Sequence, residues 1–274
     1  SSKIREIEKI NEMIYRDSII KEMLTIMSDC NQSNLNSISG FFQTSLLKFP
    51  NTSLATYFIK HPEDFNHFML LFDNLEVGST AHIIFRACLM RSRLFAEFIF
   101  KNGYAISFFQ FLVDDNFDKL GPAFASFDIL LNSYIDLSLE HITKNWILFH
   151  YQFKILLFSN NYIVLSYFLA ILYRFLSNRD AKNLMLKFID DPDNLIMIMN
   201  LLKSQKRRLS VGAYDLFKLF VLNARRSKYV FAVLKQNQNN LITFLNHFVL
   251  PDIPTIQDQI DEDHQLVINE LKKM

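Results

Sequence analysis

Two neighbouring stretches constrain the fold more than any others: Leu195-Ile196-Met197-Ile198-Met199-Asn200-Leu201-Leu202 and Ala213-Tyr214-Asp215-Leu216-Phe217-Lys218-Leu219-Phe220-Val221. In both, apolar residues return at three- and four-residue spacing, the period of a helix with one buried stripe. A basic turn, Lys206-Arg207-Arg208, separates them. Two amphipathic helices so close in sequence must bury their stripes against each other and against further helices, which is the pattern of a helical repeat.

The rest of the chain keeps this grammar. Helical patterns follow one another over 3–14, 17–28, 34–48, 52–60, 63–73, 78–91, 93–101, 104–113, 119–133, 136–158, 162–177, 181–189, 192–204, 208–222, 227–235, 238–248 and 260–273, with no strand pair between them. Five glycines and six prolines in 274 residues leave little material for hairpin turns or phosphate loops. Asn161 is placed to cap the helix that follows it, and Asp191 to cap one whose first position is Pro192, where a missing N–H costs nothing.

A degenerate repeat emerges. Leu131-Asn132, Ser177-Asn178 and Leu222-Asn223 each close a strongly apolar helix, 46 and then 45 residues apart. A polar link, a shorter apolar helix and a third helix follow. An equivalent stretch, Ile83 to Met90, stands about 41 residues upstream of the first. Three helices per unit of about 45 residues is the armadillo and HEAT pattern. The expectation is an all-α, armadillo/HEAT-like, right-handed helical-repeat solenoid of about six units, forming one domain over 1–274.

Several function classes are disfavoured. A net charge of +1 provides no general attraction for nucleic acid or anionic membrane. From Leu156 to Tyr173 no residue is charged, but Ser159-Asn160-Asn161 interrupts the run well short of the roughly 20 residues a bilayer span needs, so no membrane span is expected. Cys30 and Cys88 make neither a disulfide framework nor a zinc motif, which suits a reducing, cytoplasmic setting. The charged opening Ser1-Ser2-Lys3-Ile4-Arg5 has no signal-peptide apolar region.

Catalytic and cofactor signatures are missing as well. His61, His67, His82, His141, His150, His247 and His264 fall at no zinc-ligand spacing, and no phosphate loop, nucleophile elbow or kinase signature occurs. Asp114-Asp115-Asn116-Phe117-Asp118 gathers carboxylates but lacks the sixth-position glycine and terminal glutamate of a calcium loop. Asp258, Asp261, Glu262 and Asp263 fit a solvated helix start. No cofactor or metal is expected. The 28 phenylalanines read as core filler, exchangeable with Leu and Ile where volume is kept. The basic links Lys206-Arg207-Arg208 and Arg225-Arg226 with Lys228 are either ordinary solvated turns or a rim for an acidic or phosphorylated protein partner.

The segment from Tyr162 to Phe248 resembles the mouse-protein-25 scaffold family, also called calcium-binding protein 39. The residues that carry the likeness are Ser159-Asn160-Asn161-Tyr162, Pro192-Asp193-Asn194-Leu195 leading to Met199-Asn200-Leu201-Leu202, the stretch from Ala213 to Val221, and Asn237-Gln238 before Leu241-Ile242-Thr243-Phe244-Leu245. Phe117-Asp118 with Ala123-Phe124-Ala125-Ser126-Phe127 adds a second block, and a weaker match runs upstream through Arg86 to Cys88.

The resemblance implies a non-enzymatic scaffold that binds a sterile-twenty-type kinase or pseudokinase on a concave surface and favours its active arrangement. Fungal relatives of this kind serve kinases of polarity and cell separation. It also implies a C-terminal pocket for a partner tail ending in Trp-Glu-Phe. Met199 matches the pocket methionine, a residue type that serves equally as core filler. Partner-binding positions carried over are Met199, Lys235, Gln236, Arg179, Lys182, Ser166 and Phe117. Ser166 and Ala170 stand where the family has basic residues, Gln236 where it has a lysine beside which Lys235 lies, and Lys182 where it has an aromatic. The family's N-terminal extension is expected to be shortened here. A generic armadillo-like adaptor without kinase activation is the alternative reading.

Overall fold

The computed structural model describes residues 5, 9, 19–48, 54–250, 255 and 257–274. Among the described residues every regular element is helical. Most of the helix expected over 3–14, and the starts of those over 17–28 and 52–60, lie outside them. The chain divides into two compact units, residues 1–148 and 149–274.

In the first unit the helices are α1 (Ile19–Ile26), α2 (Gln32–Lys48), α3 (Leu54–Lys60), α4 (Pro62–Leu70), α5 (Gly78–Arg91), α6 (Arg93–Lys101), α7 (Tyr104–Ser107), α8 (Phe117–Asn132) and α9 (Ile135–Lys144). Their organising line is a ladder in which α5 packs on α2 on one side and on α8 on the other. A second layer pairs α6 with α3 and α9. Between the layers lies a phenylalanine cluster: the Phe65 ring sits 5.1 Å from Phe58, 5.6 Å from Phe95 and 6.3 Å from Phe85, mostly edge to face or tilted. Among the described residues the largest fully buried side chains, Phe42, Phe58, Phe124 and Phe168 among them, are all phenylalanine, as expected of core filler.

The second unit repeats the scheme with α10 (Trp146–Leu157), which opens at the unit boundary, then α11 (Tyr162–Leu176), α12 (Lys182–Ile189), α13 (Pro192–Leu202), α14 (Arg207–Val221), α15 (Lys228–Gln236), α16 (Gln238–Asn246) and α17 (Gln257–Lys272). Here α14 packs on α11 and on α17, while α13 rests on α14 and α15. Gly212 allows the close approach of α14 to α11, since a Cβ there would stand 3.2 Å from Leu169 Cβ. The helices closed by Asn132, Asn178 and Asn223 are thus ladder helices, which gives the 45-residue recurrence its structural meaning.

Local chemistry explains most boundaries. Asn161 Oδ1 accepts from the N–H groups of Ile163 (2.9 Å) and Val164 (3.4 Å), and Asp191 Oδ1 accepts from Asp193 N–H (2.9 Å) before Pro192. One expected helix, 136–158, is two. It breaks at Asn145, whose backbone and side-chain N–H groups both donate to His141 O and so terminate α9. The helix expected over 104–113 is one α turn followed by a 3₁₀ segment, Phe108–Leu112.

Candidate functional site

In the second unit, α13 and α16 frame a small apolar groove of about 70 Å³. Met199 and Leu202 form one wall, Leu241 and Phe244 the other, and Lys203 with Asn237 and Asn240 forms a polar lip. Met199 is half-buried, with Ile198 and Leu202 on its own helix turned into the core. An adaptable thioether facing an aromatic ring suits an apolar or aromatic side chain.

The other carried-over positions do not converge on this groove. Lys235 and Gln236 are exposed at the end of α15, and Lys235 Nζ donates to Gln238 Oε1 at 3.0 Å. The next residue, Asn237, is the one that reaches the groove, and Lys203 is the charge beside it. Ser166 is 5% exposed on the buried side of α11, and its hydroxyl finds no hydrogen-bond partner. Arg179 is exposed in a 3₁₀ turn shaped by the hydrogen bond from Asp180 N–H to Asn178 Oδ1. Lys182 opens α12 and lines a separate cavity with Tyr173, Lys218 and Arg225. Phe117, in the first unit, is the first residue of α8 and stands 59% exposed.

The sequence alone gave no sign of a series of cation–ring contacts joining α11 to α14 and the turn before it. Lys206 Nζ lies 4.4 Å from the Tyr162 ring centre, the Arg208 guanidinium 5.4 Å from that of Tyr167, and Lys218 Nζ 5.7 Å from that of Tyr173. The basic turn is therefore tied to the preceding ladder helix rather than simply solvated. Only a helix-by-helix alignment of tyrosines at 162, 167 and 173 with the cations 44, 41 and 45 residues on could have signalled it.

Two polar clusters, one in the core of the first unit and one partly exposed in the second, have the residue types of reaction centres but structural geometry. His82 Nδ1 and Ser126 Oγ are 3.0 Å apart, and Arg86 donates to the same oxygen and to Pro122 O, each at 3.2 Å. Ser126 is fully buried and His82 nearly so, out of reach of any substrate in this arrangement. Burial, with help from the Arg86 charge, pushes the His82 pKa down to about 3, so the ring is neutral. In the other unit Lys154 pairs with Asp191 at 2.8 Å and with Asp193 at 3.3 Å. Burial opposes the Asp191 charge, but the hydrogen bonds from Lys154 and Asp193 N–H and the nearby positive charge outweigh it and hold this carboxyl below its ordinary pKa. His150 lies 3.5 Å from the same carboxylate, and burial lowers its pKa.

Among the described residues, the donor atoms of His61, Glu63 and Asp64 come within 4.8 Å of one another. Asp64 is already engaged, accepting from Tyr57 Oη at 2.5 Å and pairing with Lys21 at 3.4 Å. The Asp114 loop is likewise closed by its own contacts, Asn116 N–H at 2.6 Å and Lys119 Nζ at 3.1 Å. Among the described residues, no helix is long and apolar enough to cross a membrane.

The apolar groove with its polar lip thus sits on a scaffold of stacked helices. The Mo25-like family profile matches residues 2–274. The chain belongs to the Mo25-like family. It is an all-α helical-repeat protein, as that family is. It is 29% identical over 218 residues to the degreening-related gene dee76 protein of Auxenochlorella protothecoides, covering 80% of this chain and 67% of that one. With the Mo25-like protein of Schizosaccharomyces pombe it shares 28% over 218 residues, 80% of this chain and 65% of the relative. With the calcium-binding protein 39-like protein of Mus musculus it shares 25% over 246 residues, 88% of this chain and 72% of the relative. The chain thus spans about two thirds of the length of the first two. Membership of this family supports a protein-binding scaffold.

Proposed function

We propose that this Mo25-like chain is a non-catalytic, cytoplasmic scaffold, acting as one helical-repeat domain over 1–274, that binds a sterile-twenty-type kinase or pseudokinase and favours its active arrangement. The observation that carries the reading is the groove at Met199 within a chain of this family. Its floor is apolar, its lip bears Lys203, and its size fits the side chain of an aromatic-ended tail rather than a whole cofactor. Arg179 and Lys182, exposed in the second unit, are the proposed contacts for the kinase itself, and Phe117, exposed in the first unit, is proposed as a separate contact. A rigid surface that binds the active arrangement of a kinase better than the inactive one converts binding energy into a population shift, with no chemistry of its own.

The test is a pull-down with a sterile-twenty-type kinase domain from the same source, followed by a kinase assay with and without this protein. Binding with a rise in activity is the expected result. Binding without activation leaves the generic adaptor, and absence of binding removes the kinase reading. Titration with a peptide ending in Trp-Glu-Phe examines the groove separately.

A further inference from the structure

A second site lies elsewhere in the C-terminal unit. Between α11, α12, α14 and the link that follows α14 opens a cavity of about 500 Å³. Lys182, Lys218 and Arg225 line it, against Asp263 of α17, and because Lys218 is paired with Asp215 the cations left without a partner are Lys182 and Arg225. Lys218 is held in place by Asp215 at 3.1 Å and by the rings of Tyr173 and Tyr214, 5.7 and 5.5 Å away. The side chains of Lys182 and Arg225 have no ion-pair or hydrogen-bond partner among the described residues. The link itself is fixed: Asn223 Oδ1 accepts from Arg225 N–H at 2.8 Å, and its amide donates to Met185 Sδ at 3.5 Å. Beside the cations the wall is apolar, made by Met185, Leu219 and Leu222.

We propose that this cavity receives a phosphorylated serine or threonine of a partner protein, with an apolar residue next to the phosphate. A phosphomonoester brings about −1.5 to −2 charges at pH 7 and three acceptor oxygens, enough to engage the two unpartnered cations, Lys182 and Arg225, together. A single carboxylate brings one charge and two oxygens to divide between those two cations. A free phosphate ion would leave Met185, Leu219 and Leu222 uncovered, whereas a peptide side chain beside the phosphate covers them. The proposal rests on the scaffold reading only in taking the occupant to be a protein, and the Met199 groove plays no part in it.

Three labelled peptide pools with one fixed position followed by leucine, carrying phosphoserine, serine or glutamate there and degenerate elsewhere, are titrated with the full chain by fluorescence anisotropy. The phosphoserine pool should bind with marked salt dependence, the other two about tenfold or more weaker. Lys182→Ala combined with Arg225→Ala should lose at least about tenfold toward the phosphoserine pool, Arg225→Lys should retain most of it, and Lys60→Ala, at an exposed lysine of the first unit, should change nothing. Both replaced side chains are exposed, and thermal melts verify folding. Equal binding of the serine pool, or no change in the double variant, overturns the proposal. Inorganic phosphate binding as tightly as the phosphoserine pool overturns the protein-borne source. Phosphopeptide binding by a protein that fails to take an aromatic-ended peptide supports this site while removing the groove reading; the reverse pattern removes this site alone.

Discussion

Tyr214 Oη of α14 and His264 Nδ1 of α17 lie 2.8 Å apart in the core of the C-terminal unit, 50 residues distant in sequence. The other ring nitrogen of His264 stands 3.0 Å from Leu245 O, a group that only accepts, so Nε2 carries the proton and Nδ1 accepts from the tyrosine. One imidazole thereby joins three helices, α14, α16 and α17. Burial, with the nearby charges of Asp215 and Asp263, pushes the Tyr214 phenol well above its ordinary pKa, keeping the donor in place.

Replacing Tyr214 with Phe keeps the ring and removes that donor. The loss should cost about 1–3 kcal/mol, the range for leaving a buried polar group unsatisfied. Urea melts of the two proteins check it; an unchanged midpoint would mean that His264 finds another donor.

Met199→Ala separates two roles of one side chain. In a half-buried groove wall it should weaken an aromatic-ended peptide by about 1–3 kcal/mol, roughly ten- to a hundredfold. Calorimetric titration beside thermal melts gives the answer. A lowered melting temperature with unchanged affinity would assign Met199 to the core alone.

Asp191→Asn leaves a side chain able to cap α13 but deletes the charge that Lys154 faces. Because the folded carboxyl titrates below its ordinary 3.8, the pair contributes stability that is present above that value and lost as pH falls through the lower folded one. Denaturant melts at steps from about pH 7 to pH 3 should show the wild-type advantage widening somewhat below about pH 6.5, as His150 charges, and shrinking once the pH falls below about 4. A constant gap throughout would mean that the charge contributes nothing. His150, lowered by burial against the opposing pull of Asp191, adds a loss that begins below its ordinary 6.5 and is larger in the variant, which lacks that pull.

Two glycines should respond oppositely to alanine. A Cβ at Gly78 would stand 2.7 Å from Phe72 O, a backbone atom that cannot swing aside, so Gly78→Ala should destabilise by about 1–3 kcal/mol. Gly40 lies exposed within α2 with nothing within 4 Å of such a carbon, and Gly40→Ala should stabilise by about 0.5–1 kcal/mol. Thermal melts of both variants decide the pair.

The legible part of this protein is local. Helix period, caps at Asn161 and Asp191, the recurrence ending at Asn132, Asn178 and Asn223, and the phenylalanine core follow from interactions within a few residues or from apolar patterning, and they determine an all-α repeat. Tertiary structure decided which side chains share a surface. Lys182 and Arg225, in successive repeats, line one cavity because α11, α12 and α14 stack, and Met199 meets Phe244 rather than Gln236 because α15 points Lys235 and Gln236 into solvent. Ser166 is in the core because α11 turns that face toward its neighbours. Helical periodicity says that a helix has a buried face; the rotation and offset of its neighbours, set by ridge-into-groove packing and by close approaches such as Gly212 on Leu169, determine what that face meets.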